Sequence, residues 1–453
     1  METLEALGRV ETGKASGGRT GAAAPRPAGV ESRRASPALA PAPVRPRGVP
    51  VRSRGGEGVG VPTRLRRATP ADAPRVVEIY ERLYRGTYPY EEMLDAAELA
   101  RMLANDDVLF FALELDGSGG NAPGDSGRVI GGFTAVRERE QRRGYWRGLV
   151  LEERYHGKVG ITGVARRMVA ASKAAFPRVQ VWYGETRTAH AKTQHVFEKL
   201  GYDPYAFLPA KDSFFGRRES DVLMYSALTP ELAATRAGNV ALLPSVAPLY
   251  RVVNWRGHLP DDPPVVDPHD VERRAPPAPP RLLAAARAGT ALLDGWLGRA
   301  TLACRLGADH LHLDVTRAVA NAEHARFSYS SPERLDAMVA AAVDACDAAG
   351  LAYAEVHASA AKPVEQLVLE RRGFVPVGYA PAFRRVARPG STEPAAAPCG
   401  DHRREDVVVY ARLRGVDRLP PARLTPRASA LLAAARARLE ATQVERPPAA
   451  PSC

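Results

Sequence analysis

The sequence predicts a mixed α/β protein built from two similar halves. Three observations carry that expectation. Residues 63–228 read as strand, two helices, three strands, helix, strand, helix and two strands. Residues 350–384 can be laid over 178–212 without a gap, which puts Gln366 on Gln194, Glu370 on Glu198, Gly373 on Gly201, Phe374 on Tyr202 and Pro381 on Pro209. Between the two copies, DDPPVVDPHD and RRAPPAPP form a proline-rich stretch, a composition that favours a semi-extended spacer. Self-similarity of this kind changes the expected architecture from one unit to two.

The elements follow in order. Residues 1–62 are mostly Ala, Pro, Gly, Arg and Ser, too little apolar material to offset the entropy of ordering, so a disordered tail is expected. Residues 63–68 alternate as a strand. Thr69 and Pro70 are an N-cap and a first helical residue, and Val76, Val77, Ile79, Tyr80, Leu83 and Tyr84 give the helix an apolar face. A loop holding Thr87, Tyr88 and Tyr90 leads to a second helix at 95–103. Residues 108–113 and 129–136 are strands around a hairpin loop, DGSGGNAPGDSG, rich in turn formers. A strand at 145–151, a helix at 161–176, a strand at 179–183 and a helix at 188–200 stopped by Gly201 come next, then strands at 205–208 and 221–225.

In the second copy, residues 281–306 are Ala/Leu-rich and read as helix. Strands are expected at 310–316, 351–356 and 407–413, a helix at 332–349, and a final helix at 423–445. The resulting division is a tail at 1–62, a first domain at 63–228, a linker at 229–280, a second domain at 281–415, and a C-terminal helix and tail at 416–453.

Composition excludes several classes. The net charge of +12 is spread along the chain, with ten Lys/Arg against five Glu in residues 1–62. A nucleic-acid binder would concentrate basic residues and interleave aromatics. No window approaches a membrane span, and the first residues have no apolar segment of a secretory signal. Cys304, Cys346, Cys399 and Cys453 have neither zinc spacing nor a disulfide framework. A cytoplasmic protein without a metal is expected.

The segment WRGLVLEERYHGKVGITGVARR, residues 146–167, carries the chemistry. A short apolar strand runs into a turn where Gly157, Gly160 and Gly163 surround Lys158, and a helix begins. Glycine lets backbone approach a ligand, and free amides at a helix start attract phosphate. A surface turn that needs glycine for geometry alone is the other reading of the same residues.

This order, with the glycine turn between the fourth strand and the third helix, resembles the GNAT superfamily of N-acetyltransferases. Residues 189–202, AHAKTQHVFEKLGY, look like the family's second signature, a helix ending in EKLG before a strand. The turn fits the usual pattern of Arg or Gln, two residues, Gly, one residue, then Gly or Ala, except that Val159 stands at the last place. Residues 197–201 and 219–224 also resemble, faintly, acetyltransferases of β-lysine-type amines. The likeness covers residues 63–228; the second half would be a degenerate GNAT-like copy, because its turn, residues 316–332, has no glycine.

The resemblance implies acetyl-CoA as acyl donor and an amine of a small molecule or protein as acceptor. It implies Leu149, Val150 and Leu151 for the pantetheine arm and thioester carbonyl, and Gly157, Lys158, Val159, Gly160, Ile161, Thr162 and Gly163 for the pyrophosphate. Tyr84, Thr87 and Tyr88 fall in the region that shapes the family's acceptor pocket. Glu185 and His190 are candidates for the base that takes the amine's proton, since an alkyl ammonium is mostly protonated at neutral pH. The family often has a tyrosine acid near Phe197; with Phe there, Tyr202, Tyr205 or a water would substitute. A protein that keeps the fold to bind an acyl-CoA, small molecule or partner without catalysis is the alternative.

Overall fold

The computed structural model describes residues 61–116, 127–226, 228–386, 403–416 and 418–444. The expected disordered tail, apart from its last two residues, the tip of the hairpin loop at 117–126 and the Pro-rich end at 446–453 lie outside them. The first half comprises β1 (Thr63–Arg67), α1 (Ala73–Tyr84), α2 (Ala96–Ala104), β2 (Val108–Leu115), β3 (Val129–Glu138), β4 (Arg143–Leu151), α3 (Ile161–Ala175), β5 (Val181–Arg187), α4 (Lys192–Lys199), β6 (Tyr202–Phe214) and β7 (Arg217–Ser226). Three short helices follow: α5 (Pro230–Ala234), α6 (Ala247–Val252) and α7 (Pro268–Arg274). The second half has α8 (Pro280–Ala288), β8 (Thr290–Asp294), β9 (Arg299–Leu306), β10 (Asp309–Thr316), β11 (Asn321–Ser328), α9 (Pro332–Ala348), β12 (Tyr353–Ser359), α10 (Pro363–Arg371), β13 (Val375–Val386), β14 (Arg403–Leu413) and α11 (Pro426–Val444).

All fourteen strands form one sheet, in the order β1-β2-β3-β4-β5-β7-β6-β13-β14-β12-β11-β10-β9-β8. Read from each outer edge inward, the second seven strands repeat the order of the first seven. The two runs meet where β6 and β13 pair antiparallel through Ala206 and Gly378. One apolar core extends through both runs, and a second lies under α1 and α2, around Tyr80, Leu99 and Phe110.

Three expectations need correction. The Ala-rich run at 281–306 is helical only as far as Ala288; the rest is the β8–β9 hairpin, closed by a turn holding Gly295 and Gly298. Pairing to β10 supplies the ladder bonds that outweigh local helix propensity. The expected turn at 316–332 holds a whole strand, β11, which pairs with β10 and β12. The expected extended linker is built into the molecule, because Leu242, Leu249, Tyr250 and Val271 are buried. Two glutamines fix these crossings reciprocally. Gln366 accepts from Leu243 N at 3.0 Å and donates to Ala241 O at 3.0 Å, seating the segment after the first half on the second. Gln194 donates to Arg423 O at 3.1 Å and accepts from Thr425 N at 3.0 Å, seating the segment after the second half on the first.

Candidate active site

The site is built where β4 and β5 part. They pair in parallel only from Arg143–Val181 to Trp146–Gly184, yet β4 runs on to Leu151 and β5 to Arg187. A slot opens between them. A bulge in β4 helps set its shape. The β3 register shifts between Gly132 and Thr134, and Gly148 has φ 63°. A side chain at Gly148 would run into the Tyr80 hydroxyl, which donates to Gly148 O at 3.0 Å. Leu149 therefore has no partner in the β3 ladder, while Val150 and Leu151 pair with Gly132 and Gly131.

The glycine turn sits at the end of β4. Gly157 has φ 76°, which the L side chains avoid. Added side chains at Gly157, Gly160 and Gly163 would meet nothing within 4 Å, so the turn faces open space. Ile161 N donates to Val159 O at 2.8 Å, and the Gly163 and Val164 amides donate to Gly160 O. The amides of Gly157, Val159, Gly160 and Thr162 have no partner among the described residues. Val159, the departure from the expected pattern, turns its side chain into the core. It leaves the open side of the turn to backbone, as Gly or Ala would. Lys158 is exposed, and its carbonyl accepts from Val61 N at 3.0 Å.

One face of the slot carries a cluster of ionisable groups. Glu185 follows the last β5 residue that pairs with β4 and is itself paired with Leu223 of β7, so it lies within the strand rather than past its end. Its carboxylate meets Lys211 Nζ at 2.8 Å. Lys211 reaches this face because β6 is irregular between Leu208 and Asp212, with Ala210 at φ 47°. The same ammonium lies 3.3 Å from Glu323 on β11 and 3.5 Å from Glu355 on β12. Glu355 also accepts from Tyr353 OH at 2.6 Å and meets His357 Nε2 at 2.9 Å. Tyr90 OH lies 3.1 Å from both oxygens of Asp212.

Burial dominates the electrostatics. It pushes the Glu185 carboxyl up to about 7, against the pull of Lys211 and with the help of Glu323 and Glu355. It pushes Asp212 up to about 6, again against Lys211. Asp221 is raised well above the carboxylate range by burial and by Asp212 beside it. For Glu355 burial acts the same way, but Lys211, His357 and Tyr353 outweigh it and hold the carboxyl low.

The aromatic loop forms the adjoining wall. Tyr84 and Tyr88 are buried with ring centroids 4.5 Å apart, and Tyr88 reaches Tyr90 at 5.5 Å. Thr87 is exposed and donates its hydroxyl to Tyr84 O at 2.6 Å. Arg187 lies over the Phe214 ring at 3.8 Å and pairs with Glu219.

Two expected residues are placed elsewhere. Tyr202 is enclosed in the core and accepts from Trp146 Nε1 at 3.0 Å; its ring meets Phe197 edge-on at 5.2 Å. This is a packing role, set by the aromatic layer of Phe133, Trp146 and Trp182. His190 is exposed on the segment between β5 and α4, with no partner among the described residues. Sequence reasoning missed Lys211, Asp212, Asp221, Glu323 and Glu355. Their one signal is charge inside otherwise apolar strands, such as Lys211-Asp212 in YDPYAFLPAKDSF.

The described residues hold no group of three or more His, Cys, Asp or Glu arranged to bind a metal, and no helix among them is long and apolar enough to cross a membrane. No family model matches the chain, and no curated protein does. Solved structures do. The spermidine N-acetyltransferase from Vibrio cholerae in complex with CoA and spermine matches at 16% identity and TM-score 0.30, over 36% of this chain and 94% of that one. Mutant forms of the spermidine/spermine N-acetyltransferase SpeG from Vibrio cholerae match at 15% identity and TM-score 0.29, over 36% of this chain and 92% of theirs.

Proposed function

We propose that this protein is an acyl-CoA-dependent N-acyltransferase whose active site lies in the first half, with acetyl-CoA as donor and a primary amine as acceptor. The observation that carries the reading is the parting of β4 and β5 beside an open glycine turn at the start of α3. A pyrophosphate suits the unpartnered amides of Gly157, Val159, Gly160 and Thr162. The pantetheine arm would pass between β4 and β5, and the Leu149 amide, at the bulge, would polarise the thioester carbonyl.

On the opposite side of the slot Glu185 takes a proton from the acceptor ammonium. The free amine attacks the thioester carbon, and the tetrahedral intermediate expels the CoA thiolate. The new C–N bond replaces the C–S bond, and the amine's proton ends on sulfur. Burial brings Glu185 close to working pH, which is what a general base needs.

The second half keeps the strand order without the cofactor machinery. β11 runs to α9 through residues 329–331 alone, and the Ser331 hydroxyl caps the Arg334 amide at 3.4 Å. The space between β11, β12 and α9 is lined by the apolar side chains of Leu313, Phe327, Val339 and Val356. We read it as a degenerate GNAT-like copy that binds no CoA.

Calorimetry tests the cofactor site. Acetyl-CoA binds the wild-type protein, and Gly160→Asp abolishes binding without lowering the melting temperature, because the position is open. Absence of binding to the wild type overturns the reading.

A further inference from the structure

We propose that β8, the outer strand of the second half, pairs antiparallel with β8 of a second copy of this chain, so that two molecules share one continuous sheet. The inference is independent of the acyl-transfer reading.

The two ends of the sheet are treated differently. Its outer strands are β1 and β8. An outer strand offers a row of free N–H and C=O groups to any other strand, and proteins blunt such edges with charge or proline. β1 is blunted. Its sequence is TRLRR and Pro62 precedes it. The Arg66 guanidinium also donates to Arg67 O, on the free edge, at 3.2 Å. β8 has none of this. Its sequence is TALLD, and Ala291 is exposed. Leu293 is 54% exposed, and Trp296, in the turn that follows, is 67% exposed.

The ladder to β9 fixes which groups of β8 are free. Arg305 N donates to Gly289 O at 2.9 Å, and Gly295 N to Arg299 O at 2.8 Å. Between these ends the register runs unbroken from Thr290–Cys304 to Asp294–Ala300. Bonded and non-bonded residues alternate in an antiparallel pair. Ala291 and Leu293 therefore bond β9, while Thr290, Leu292 and Asp294 point their N–H and C=O groups outward. These three positions are symmetric about Leu292. A two-fold axis there pairs Leu292 with its own counterpart and Thr290 with Asp294 of the second copy. Each outward residue then gives one hydrogen bond and takes one.

The side chains agree with that axis. On one face Leu293 falls beside Ala291 of the second copy, an apolar pair. On the other face the Thr290 hydroxyl falls beside the Asp294 carboxylate, which also pairs with Arg317, and Leu292 meets its counterpart. Leu292 already packs, half-buried, against the core, as do Leu282 and Leu283 of α8. The seam thus prolongs that core. A two-fold interface must be self-complementary, and TALLD is so in this register. A five-residue seam is small beside the ~1,200 Å² of a standard interface, so the dimer is reversible rather than obligate.

Sedimentation velocity of the full chain tests this. The wild type passes from 48.7 kDa to twice that mass as its concentration rises through about 1–10 µM. Leu292→Pro removes an outward N–H and spares the β9 ladder. Leu293→Lys puts like charges on the seam. Each raises the dissociation constant at least tenfold; Leu293→Lys, at an exposed side chain, carries the test if Leu292→Pro fails to fold. Cross-linking reads the register. In a Cys399→Ser, Cys453→Ser background without reductant, Leu292→Cys forms a disulfide between copies, because bonded partners lie ~5.5 Å apart between Cα atoms. Leu293→Cys, off the axis, does so far less. A wild type that stays monomeric to about 100 µM overturns the proposal, including the case in which another segment of the same chain covers β8. A dimer unchanged in both edge variants also overturns it, as does stronger cross-linking at 293 than at 292.

Discussion

Glu185 has neighbours that pull its proton affinity in opposite directions, and this makes its role measurable. Lys211 favours the carboxylate; Glu323, Glu355 and burial favour the acid. A base must be deprotonated to act, so kcat/KM rises as pH rises through about 7, where burial has placed this carboxyl. Glu185→Gln removes that limb of the profile and lowers kcat/KM by about 10²–10⁴-fold, the usual contribution of a general base. Lys211→Met removes the charge that favours the carboxylate, so the limb moves to higher pH. A pH–rate profile of the three proteins checks both shifts, and an unmoved limb in Lys211→Met contradicts the assignment. Glu185 was recognisable in the sequence as a carboxylate near the end of a strand. Lys211 was not, because a lysine in an apolar strand reads as an outward-facing residue until the β6 irregularity turns it inward. Tyr202 misled in the opposite way. A tyrosine beside a signature helix suggests an acid, but a phenol next to Phe197 and Trp146 is held in the core by stacking and by the indole hydrogen bond.

At the scale of elements, the β4 bulge is the device that separates the strand from its neighbours. Gly148 sits at φ 63° with the Tyr80 hydroxyl against it. Gly148→Ala forces a β-carbon into that hydroxyl and strains a left-handed backbone, at a cost of about 1–3 kcal/mol. Thermal melts should register that loss, and acetyl-CoA affinity should fall by more than tenfold as the Leu149 amide moves. Unchanged affinity in a folded variant contradicts a role for the bulge in binding. The helices of the first half, and the strands that alternate or form apolar runs, were legible from periodicity and caps. Thr69 lies where capping predicts. The strands that escaped, β8, β9 and β11, share a cause. Ala-rich β9 has helical composition, and NAEHARFS in β11 has no apolar alternation because Glu323 on it faces the ionic cluster. Their conformation is set by partners distant in sequence.

The whole molecule joins two equal strand orders into one sheet, and the ionic cluster sits at that junction. Contacts across it are polar as well as apolar. Glu92 in the aromatic loop pairs with Arg147 of its own half and with Arg299 of the other. Although burial alone would raise this carboxyl, the two guanidiniums hold it at about 2. The repeat itself was legible in the gapless overlay of 350–384 on 178–212, whose equivalent glutamines, Gln194 and Gln366, hold the reciprocal crossings. The cluster was not legible, because its members come from β5, β6, β7, β11 and β12, and only tertiary structure brings them together. Free-thiol release from acetyl-CoA across a library of amines tests the central claim most directly. The protein releases CoA thiol in proportion to acylated amine with at least one acceptor, and Glu185→Gln does so at least a hundredfold more slowly. Acetyl-CoA binding with no thiol release from any amine, or release unaffected by Glu185→Gln, contradicts it.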